Sequence, residues 1–101
     1  MAVVIVTTLP PEANRALDEG VAKELDTVSD PPQGMIVHTA SEANGRVTII
    51  DVWESKQAFE KFEKERLLPA IQKVSGMDPS KGRPLDRTIY EAYRLERGVG
   101  A

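Results

Sequence analysis

The hydrophobic pattern of the chain alternates between short β-branched runs and longer helical stripes. The first run, Ala2 to Thr8, is almost entirely apolar, which is typical of a strand covered on both faces. Apolar residues then recur three and four positions apart and predict a helix over about Pro11 to Asp26, because this spacing places them on one helix face. The members of this stripe are Ala13, Leu17, Val21, Leu25 and Val28.

Two further strands and a tight turn occupy the middle of the chain. The β-branched segments Met35–Ala40 and Arg46–Trp53 flank Asn44-Gly45. Both residues of this dipeptide tolerate positive φ angles, so it predicts the turn of a β-hairpin.

A second helix and a last strand complete the pattern. Ser55 suits the N-cap of a helix that carries Phe59 and Phe62 on one face and ends at Gly76. Pro69 interrupts this helix and predicts a kink or a new start there. After a polar loop over 77–84, the sequence predicts a strand over 85–95.

The order β-α-β-β-α-β predicts an α+β fold of the ferredoxin-like kind. In this arrangement a four-stranded antiparallel sheet carries two helices on one face. The chain of 101 residues has room for one domain, which we place at residues 1–95, with 96–101 as a C-terminal tail.

The hairpin turn also predicts which residues share a face of the sheet. If Asn44 and Gly45 are the turn residues, Ala40 lies opposite Ile49, His38 opposite Asp51 and Ile36 opposite Trp53, all on one face. The same face then carries Ile36, Ala40, Val47, Ile49 and Trp53, and the other face carries Val37, Thr39, Thr48, Ile50 and Val52. We expect the second set to pack under the helices, which leaves the first set bare. An apolar patch of this kind is unusual on a monomer and predicts a homodimer, and a register error of one residue would exchange the two faces.

The charge balance and the cysteine content argue against several classes of partner and chemistry. The chain has 13 basic and 16 acidic residues and a net charge of −3, which argues against nucleic acid or a membrane surface as the partner. It has no cysteine, which favours a cytoplasmic location and excludes disulfides and thiolate chemistry. No apolar run has the length of a signal sequence or a membrane span.

Two segments resemble a known superfamily. Gly34-Met35-Ile36-Val37 and Trp53-Glu54-Ser55-Lys56-Gln57-Ala58-Phe59 are similar to segments of the dimeric α/β-barrel proteins. That superfamily includes cofactor-free antibiotic-biosynthesis monooxygenases and haem-degrading monooxygenases. The resemblance to this antibiotic-biosynthesis-monooxygenase-like group implies two sheets paired into a barrel, with pockets between sheet and helices or inside the barrel.

The haem-degrading branch departs from this chain at its functional residues. That branch uses a tryptophan, a histidine and an asparagine. The resemblance would place the tryptophan at Phe62, the histidine near Gln72 and the asparagine near Val6 or Thr7, and none of the three residue types stands at its position in this chain. This argues against haem degradation, and we expect no cofactor. The cofactor-free branch stays open; the resemblance implies that it binds an aromatic polyketide and lets the substrate carbanion react with dioxygen.

His38 is the only histidine and Asp51 its predicted partner, so these two are the candidate catalytic residues. A carboxylate would orient the imidazole for work as a general base. The alternative is a structural His–Asp pair within the hairpin. Two ligands are too few for a typical zinc site, so we expect no metal.

Ile36, Trp53, Tyr90 and Arg94 are the candidate substrate-binding residues. Trp53 could stack on an aromatic ligand or serve as a core aromatic. Tyr90 and Tyr93 fall on opposite faces of the predicted last strand, and Arg94 shares a face with Tyr90. The sequence thus predicts a small-molecule-binding protein. Its candidate activity is that of a cofactor-independent monooxygenase acting on an aromatic or polyketide-like compound. The alternative is a non-catalytic homodimeric module with a structural His–Asp pair.

Overall fold

A four-stranded antiparallel sheet forms the base of the molecule, in a computed structural model that describes residues 1–78 and 85–98. Most of the predicted loop over 77–84 and the end of the predicted tail lie outside these ranges. The elements are β1 (Val3–Thr8), α1 (Arg15–Leu25), β2 (Met35–Ala43), β3 (Arg46–Trp53), α2 (Lys56–Phe62), a π-helical segment (Glu63–Leu67), α3 (Leu68–Ser75) and β4 (Asp86–Glu91).

The sheet topology confirms the predicted ferredoxin-like fold. The strand order is β2-β3-β1-β4, and every neighbouring pair is antiparallel. The apolar strand β1 therefore lies inside the sheet, as its pattern predicted. At the hairpin turn, Asn44 and Gly45 both take positive φ angles.

The first helix starts later than the sequence predicts. Asn14 is its N-cap, and the side-chain oxygen of Asn14 accepts a hydrogen bond from the backbone N–H of Leu17 at 2.9 Å. Pro10 instead accepts a turn hydrogen bond from the Ala13 N–H. An asparagine side chain satisfies a free N–H of the first helical turn, which a proline cannot do, so the helix begins at Arg15.

The second helical stretch accommodates Pro69 through its π-helical segment. A proline inside an α-helix lacks the N–H donor and clashes with the carbonyl four residues earlier. Here the segment before it widens, so that the Leu68 N–H bonds to the Glu63 carbonyl five residues back. Pro69 then occupies the first turn of α3, where proline is tolerated. The predicted break at Pro69 is thus present as a change of helix type.

The core lies between the sheet and the second helical stretch. Trp53 is fully buried, and its ring centroid lies 5.6 Å from that of Phe59 and 5.2 Å from that of Phe62. Val3 and Ile5 of β1 complete the buried cluster. Large aromatic and aliphatic side chains of this kind supply most of the hydrophobic stabilisation of a small domain.

The position of this core shows that the predicted assignment of the two sheet faces is wrong. The register is as predicted at its centre, since His38 pairs with Asp51 and Ala40 with Ile49. However, the face with Asp51 and Trp53 lies under the helices, because Trp53 packs on Phe59 directly after the short connection to α2. The alternating pattern fixes which residues share a face, but it could not fix which face is covered when both are apolar.

The helix-free face, which we define by Val4, Val6, Val37, Ile50, Val52 and Tyr90, is also apolar. Val37 is 44% exposed, Ile50 39% and Tyr90 55%. The sheet therefore still presents a hydrophobic surface without helices, although its residues are the ones that the sequence placed in the core.

Gly34 gives a test of the packing between the hairpin and α2. Gly34 and Gly45 both have positive φ angles, +88° and +74°. A Cβ atom on Gly34 would lie 2.7 Å from the Ala58 Cβ, whereas one on Gly45 would meet nothing within 4 Å. We expect Gly45→Ala to cost about 1 kcal/mol from backbone strain, and Gly34→Ala to cost roughly 1–3 kcal/mol more from overpacking.

Urea unfolding of the two variants beside the parent chain measures these costs. The Gly45→Ala variant is the matched control, since it introduces the same methyl group at a similar backbone conformation. Equal costs in the two variants would contradict the close approach of Gly34 to α2.

Candidate functional site

The site is built on a hydrogen-bonded pair between β2 and β3. The His38 Nδ1 and the Asp51 Oδ1 are 2.6 Å apart. The side chain of Asp51 is only 9% exposed, while that of His38 is 40% exposed. The carboxylate is therefore held inside the protein, and the imidazole that it orients reaches solvent.

Trp53 connects this pair to the hydrophobic core. Its indole Nε1–H points to the second carboxylate oxygen of Asp51, Oδ2, at 3.4 Å. Asp51 and Trp53 are two residues apart on one strand, so their side chains leave the sheet on the same side. Both oxygens of Asp51 thus face a donor group, which compensates for the burial of the carboxylate.

The surroundings of His38 favour its protonated form. Its hydrogen bond to Asp51 raises the pKa of His38 above the ordinary 6.5. Partial burial opposes this shift, while the negative charges of Asp51 and Asp18 add to it. The Nδ1 atom is committed to Asp51, which leaves the Nε2 atom of the exposed ring edge to exchange a proton with a ligand.

A cleft lies between α1 and the β2–β3 hairpin, on the side of the sheet that the helices cover. Its volume is about 270 Å³, and it is lined by Arg15, Asp18, Glu19, Ala40, Ser41, Glu42 and Val47. Ala40 is two residues from His38 on β2 and faces the same way. The cleft therefore lies on the face of the sheet that carries the His38–Asp51 pair, although neither residue of the pair lines it.

Asp18 is the site residue that the sequence analysis missed. It lies on α1, and its charge interacts with those of both His38 and Asp51. Burial raises the pKa of Asp18, while the neighbouring His38 lowers it. A signal was present in the sequence, because Asp18 precedes Val21 by three positions and Leu25 by seven, which places a carboxylate on the apolar face of the helix.

The structure brings His38, Asp51 and Trp53 together but not the other predicted site residues. Ile36 does not lie opposite Trp53 as predicted, because the register shifts between Met35 and Val37, and Met35 takes that position. This irregularity leaves Ile36 half-buried beside the ladder.

Tyr90 and Arg94 lie away from the His38–Asp51 pair. Tyr90 pairs with Val4 and therefore projects from the helix-free face. Arg94 follows the end of β4, which is shorter than predicted, and its Nε lies 3.7 Å from a Glu96 oxygen. Its side chain is 71% exposed and does not pair with Asp51.

The described residues provide neither a cluster of metal ligands nor a membrane-spanning helix. Within residues 1–78 and 85–98, no group of three or more His, Cys, Asp or Glu side chains is placed to hold a metal ion. In the same part of the chain, none of the helices combines the length and the apolar character needed to cross a membrane.

Comparison with solved structures shows which proteins share this fold. Rv0793 from Mycobacterium tuberculosis superposes with a TM-score of 0.68 at 15% identity, over 96% of this chain and 100% of that one. A candidate antibiotic biosynthesis monooxygenase from Caulobacter crescentus gives 0.67 at 18% identity, over 92% and 91%. SnoaB, a cofactor-independent oxygenase from Streptomyces nogalater, gives 0.59 at 15% identity, over 93% and 95%.

These similarities confirm, at the level of the fold, the antibiotic-biosynthesis-monooxygenase-like resemblance predicted from the sequence. No protein-family model matches the sequence, and no curated protein matches it significantly. Identities this low establish a shared fold, and the reaction has to be argued from the site.

The raised pKa of His38 predicts how stability depends on pH. The folded state holds the His38 proton more tightly than the unfolded chain, so the resulting stabilisation is complete below pH 6.5. It is lost as the pH rises through the folded-state pKa. In urea unfolding from about pH 5.5 to about pH 9, we expect the stability advantage of the parent chain over His38→Gln to shrink with rising pH.

Because the chain has a single histidine, no other imidazole contributes to this difference. An advantage that stays constant over the whole range would show that the hydrogen bond to Asp51 does not favour the protonated ring.

Proposed function

We propose that the protein binds a small aromatic or polyketide-like compound and oxygenates it without a cofactor, with His38 as the general base and Asp51 as the residue that orients it. The observation that carries this proposal is the 2.6 Å hydrogen bond between a buried Asp51 carboxylate and a half-exposed imidazole. A cleft lined by Ala40, two residues from His38 on β2, opens on the same face of the sheet. A general base needs this combination of a fixed ring and an accessible nitrogen.

The hydrogen bond to Asp51 makes His38 a stronger base, so that its pKa comes closer to that of a phenol. A phenol has a pKa near 10 and an ordinary imidazole one near 6.5, so the transfer is uphill by roughly 5 kcal/mol. Each unit by which the pKa of His38 rises removes about 1.4 kcal/mol of this difference. The hydrogen bond to Asp51 acts in that direction.

The proposed reaction consumes dioxygen and releases water. His38 takes a proton from the phenol-like hydroxyl of the enol tautomer of the substrate, and the resulting anion is delocalised onto the ring carbon that is a methylene in the keto form. That carbanion gives electrons to dioxygen and forms a hydroperoxide, which loses water as the methylene becomes a carbonyl. In total, a CH₂ group and O₂ become C=O and H₂O, and His38 returns its proton when water leaves.

The comparison with SnoaB supports the proposal for the oxygen chemistry. That protein is a cofactor-independent oxygenase and has a similar fold over nearly its whole length. This chain likewise contains a candidate base and a cleft. The assignment of roles to His38 and Asp51 rests on their geometry and not on this likeness.

A non-catalytic binding module is the second candidate. The packing around Trp53 favours it, because Trp53 and Ile5 fill the layer between sheet and helices and leave Asp51 in contact with protein donors. In that case the His38–Asp51 pair stabilises the hairpin and handles no substrate proton.

Substitution of His38 separates the two candidates. We expect His38→Ala to abolish the uptake of dioxygen with a hydroxylated anthrone, because no other imidazole is present. Thr39→Ala is the matched control, since Thr39 is the next residue on β2 and pairs with Ile50 on the helix-free face. The oxygen electrode gives the rate, and product mass gives the added oxygen atom.

Unchanged turnover in His38→Ala would remove the proposed role of the histidine. A loss of about 1–3 kcal/mol of folding stability, without any change in ligand binding or turnover, would favour the non-catalytic module.

We propose in addition that the protein is a homodimer that pairs its helix-free faces. Val37, Ile50 and Tyr90 are exposed there, and a contiguous apolar patch on a sheet is normally covered by a partner. A second copy presents the same patch, so the contact is self-complementary under two-fold symmetry.

A lysine on this face should separate the subunits. We expect Val37→Lys to sediment as a monomer at concentrations where the parent chain is a dimer, because the interface would bury an unpaired charge. Val28→Lys is the matched control, since Val28 is 92% exposed outside this face. Dimers that persist in Val37→Lys, or a parent chain that is monomeric, would contradict the proposed interface.

A further inference from the structure

We infer that Asp18 is a positioning residue of this site, which stabilises the protonated His38 through its charge from the helix layer while Asp51 holds the ring by a hydrogen bond from the sheet. The inference rests on the proposed role of His38 as a base. It concerns a residue of α1 and goes beyond the pair that the hairpin itself provides.

The position of Asp18 is the first support. Asp18 lines the cleft together with Ala40, which shares a face of β2 with His38. The Asp18 residue is only partly exposed. Among residues 1–78 and 85–98, none forms a hydrogen bond or an ion pair with the Asp18 carboxylate. A carboxylate in such a position is expected to have a partner, and the charged form of His38 would provide one.

The other two carboxylates of the cleft, unlike Asp18, interact with Arg15. Glu19, the next residue on α1, accepts a hydrogen bond from Arg15 at 2.7 Å, and both side chains are more than half exposed. Glu42 lies towards the hairpin turn and interacts with Arg15. Asp18 is therefore the carboxylate of the helix layer that acts on His38, and Asp51 is the one of the sheet.

The two carboxylates have different tasks in this arrangement. Asp51 forms the hydrogen bond to Nδ1, so it fixes both the ring orientation and the tautomer of His38. Asp18 acts through its charge across the cleft, so it favours the imidazolium that forms when His38 takes a proton. Loss of Asp18 should thus weaken the base and leave the ring in place.

The single histidine permits a direct test by NMR. We expect Asp18→Asn to move the titration of the His38 imidazole to lower pH. Glu19→Gln is the matched control, since it removes the same charge from the adjacent position of the same helix; it should leave the titration unchanged. A shift in Asp18→Asn no larger than that in Glu19→Gln would overturn the inference.

A measurement on the parent chain makes the test independent of the folding of the variant. The carboxyl carbon of Asp18 should show an inflection at the pH where the His38 ring titrates, and the carboxyl carbon of Glu19 should show none. Absence of this inflection for Asp18 would overturn the inference even if the variant does not fold.

Turnover then separates this inference from the proposed function. We expect Asp18→Asn to reduce kcat and to move the acidic limb of its pH profile to lower pH, with KM little changed. A parent chain without turnover would contradict the proposed function, whereas the NMR titrations would still decide whether Asp18 holds the imidazolium. An acidic limb that does not move in an active Asp18→Asn enzyme would overturn the inference.

Discussion

The burial of Trp53 between the sheet and the second helical stretch is the constraint on which the rest of the structure depends. Its ring packs against Phe59 and Phe62, and this contact decides which face of the sheet the helices cover. Asp51 is two residues earlier on the same strand, so it is buried on the same side. The indole N–H and the His38 ring then provide the polar partners that a buried carboxylate requires.

This constraint gives the two faces of the sheet different characters. The covered face holds a polarity gradient, from the fully buried indole through the Asp51 carboxylate to the half-exposed imidazole at the cleft. The other face carries aliphatic side chains and Tyr90. In the proposed function, the chemistry lies under the helices and the free sheet surface serves for association.

Solved structures share this fold at 15% to 18% identity. A fold of this kind needs an alternating pattern in the strands, a turn at the hairpin and an apolar face on each helix, and many sequences meet these conditions. The helix stretch shows how local conflicts are absorbed, since Pro69 is accommodated by a π-helical segment without loss of the helix. The proposed function, by contrast, depends on a few side chains such as His38 and Asp18.

Local rules in the sequence determined the order of the elements, the turn at Asn44-Gly45, the cap at Ser55 and the pairing of His38 with Asp51. Each of these depends on near neighbours or on the two-residue period of a strand, which a sequence displays directly. Tertiary packing alone decided that this pair lies under the helices, that a register shift displaces Ile36, and that Asp18 reaches the site from α1. The physical reason is that two apolar faces of one strand look alike in sequence, and only the neighbour that each face meets makes them different.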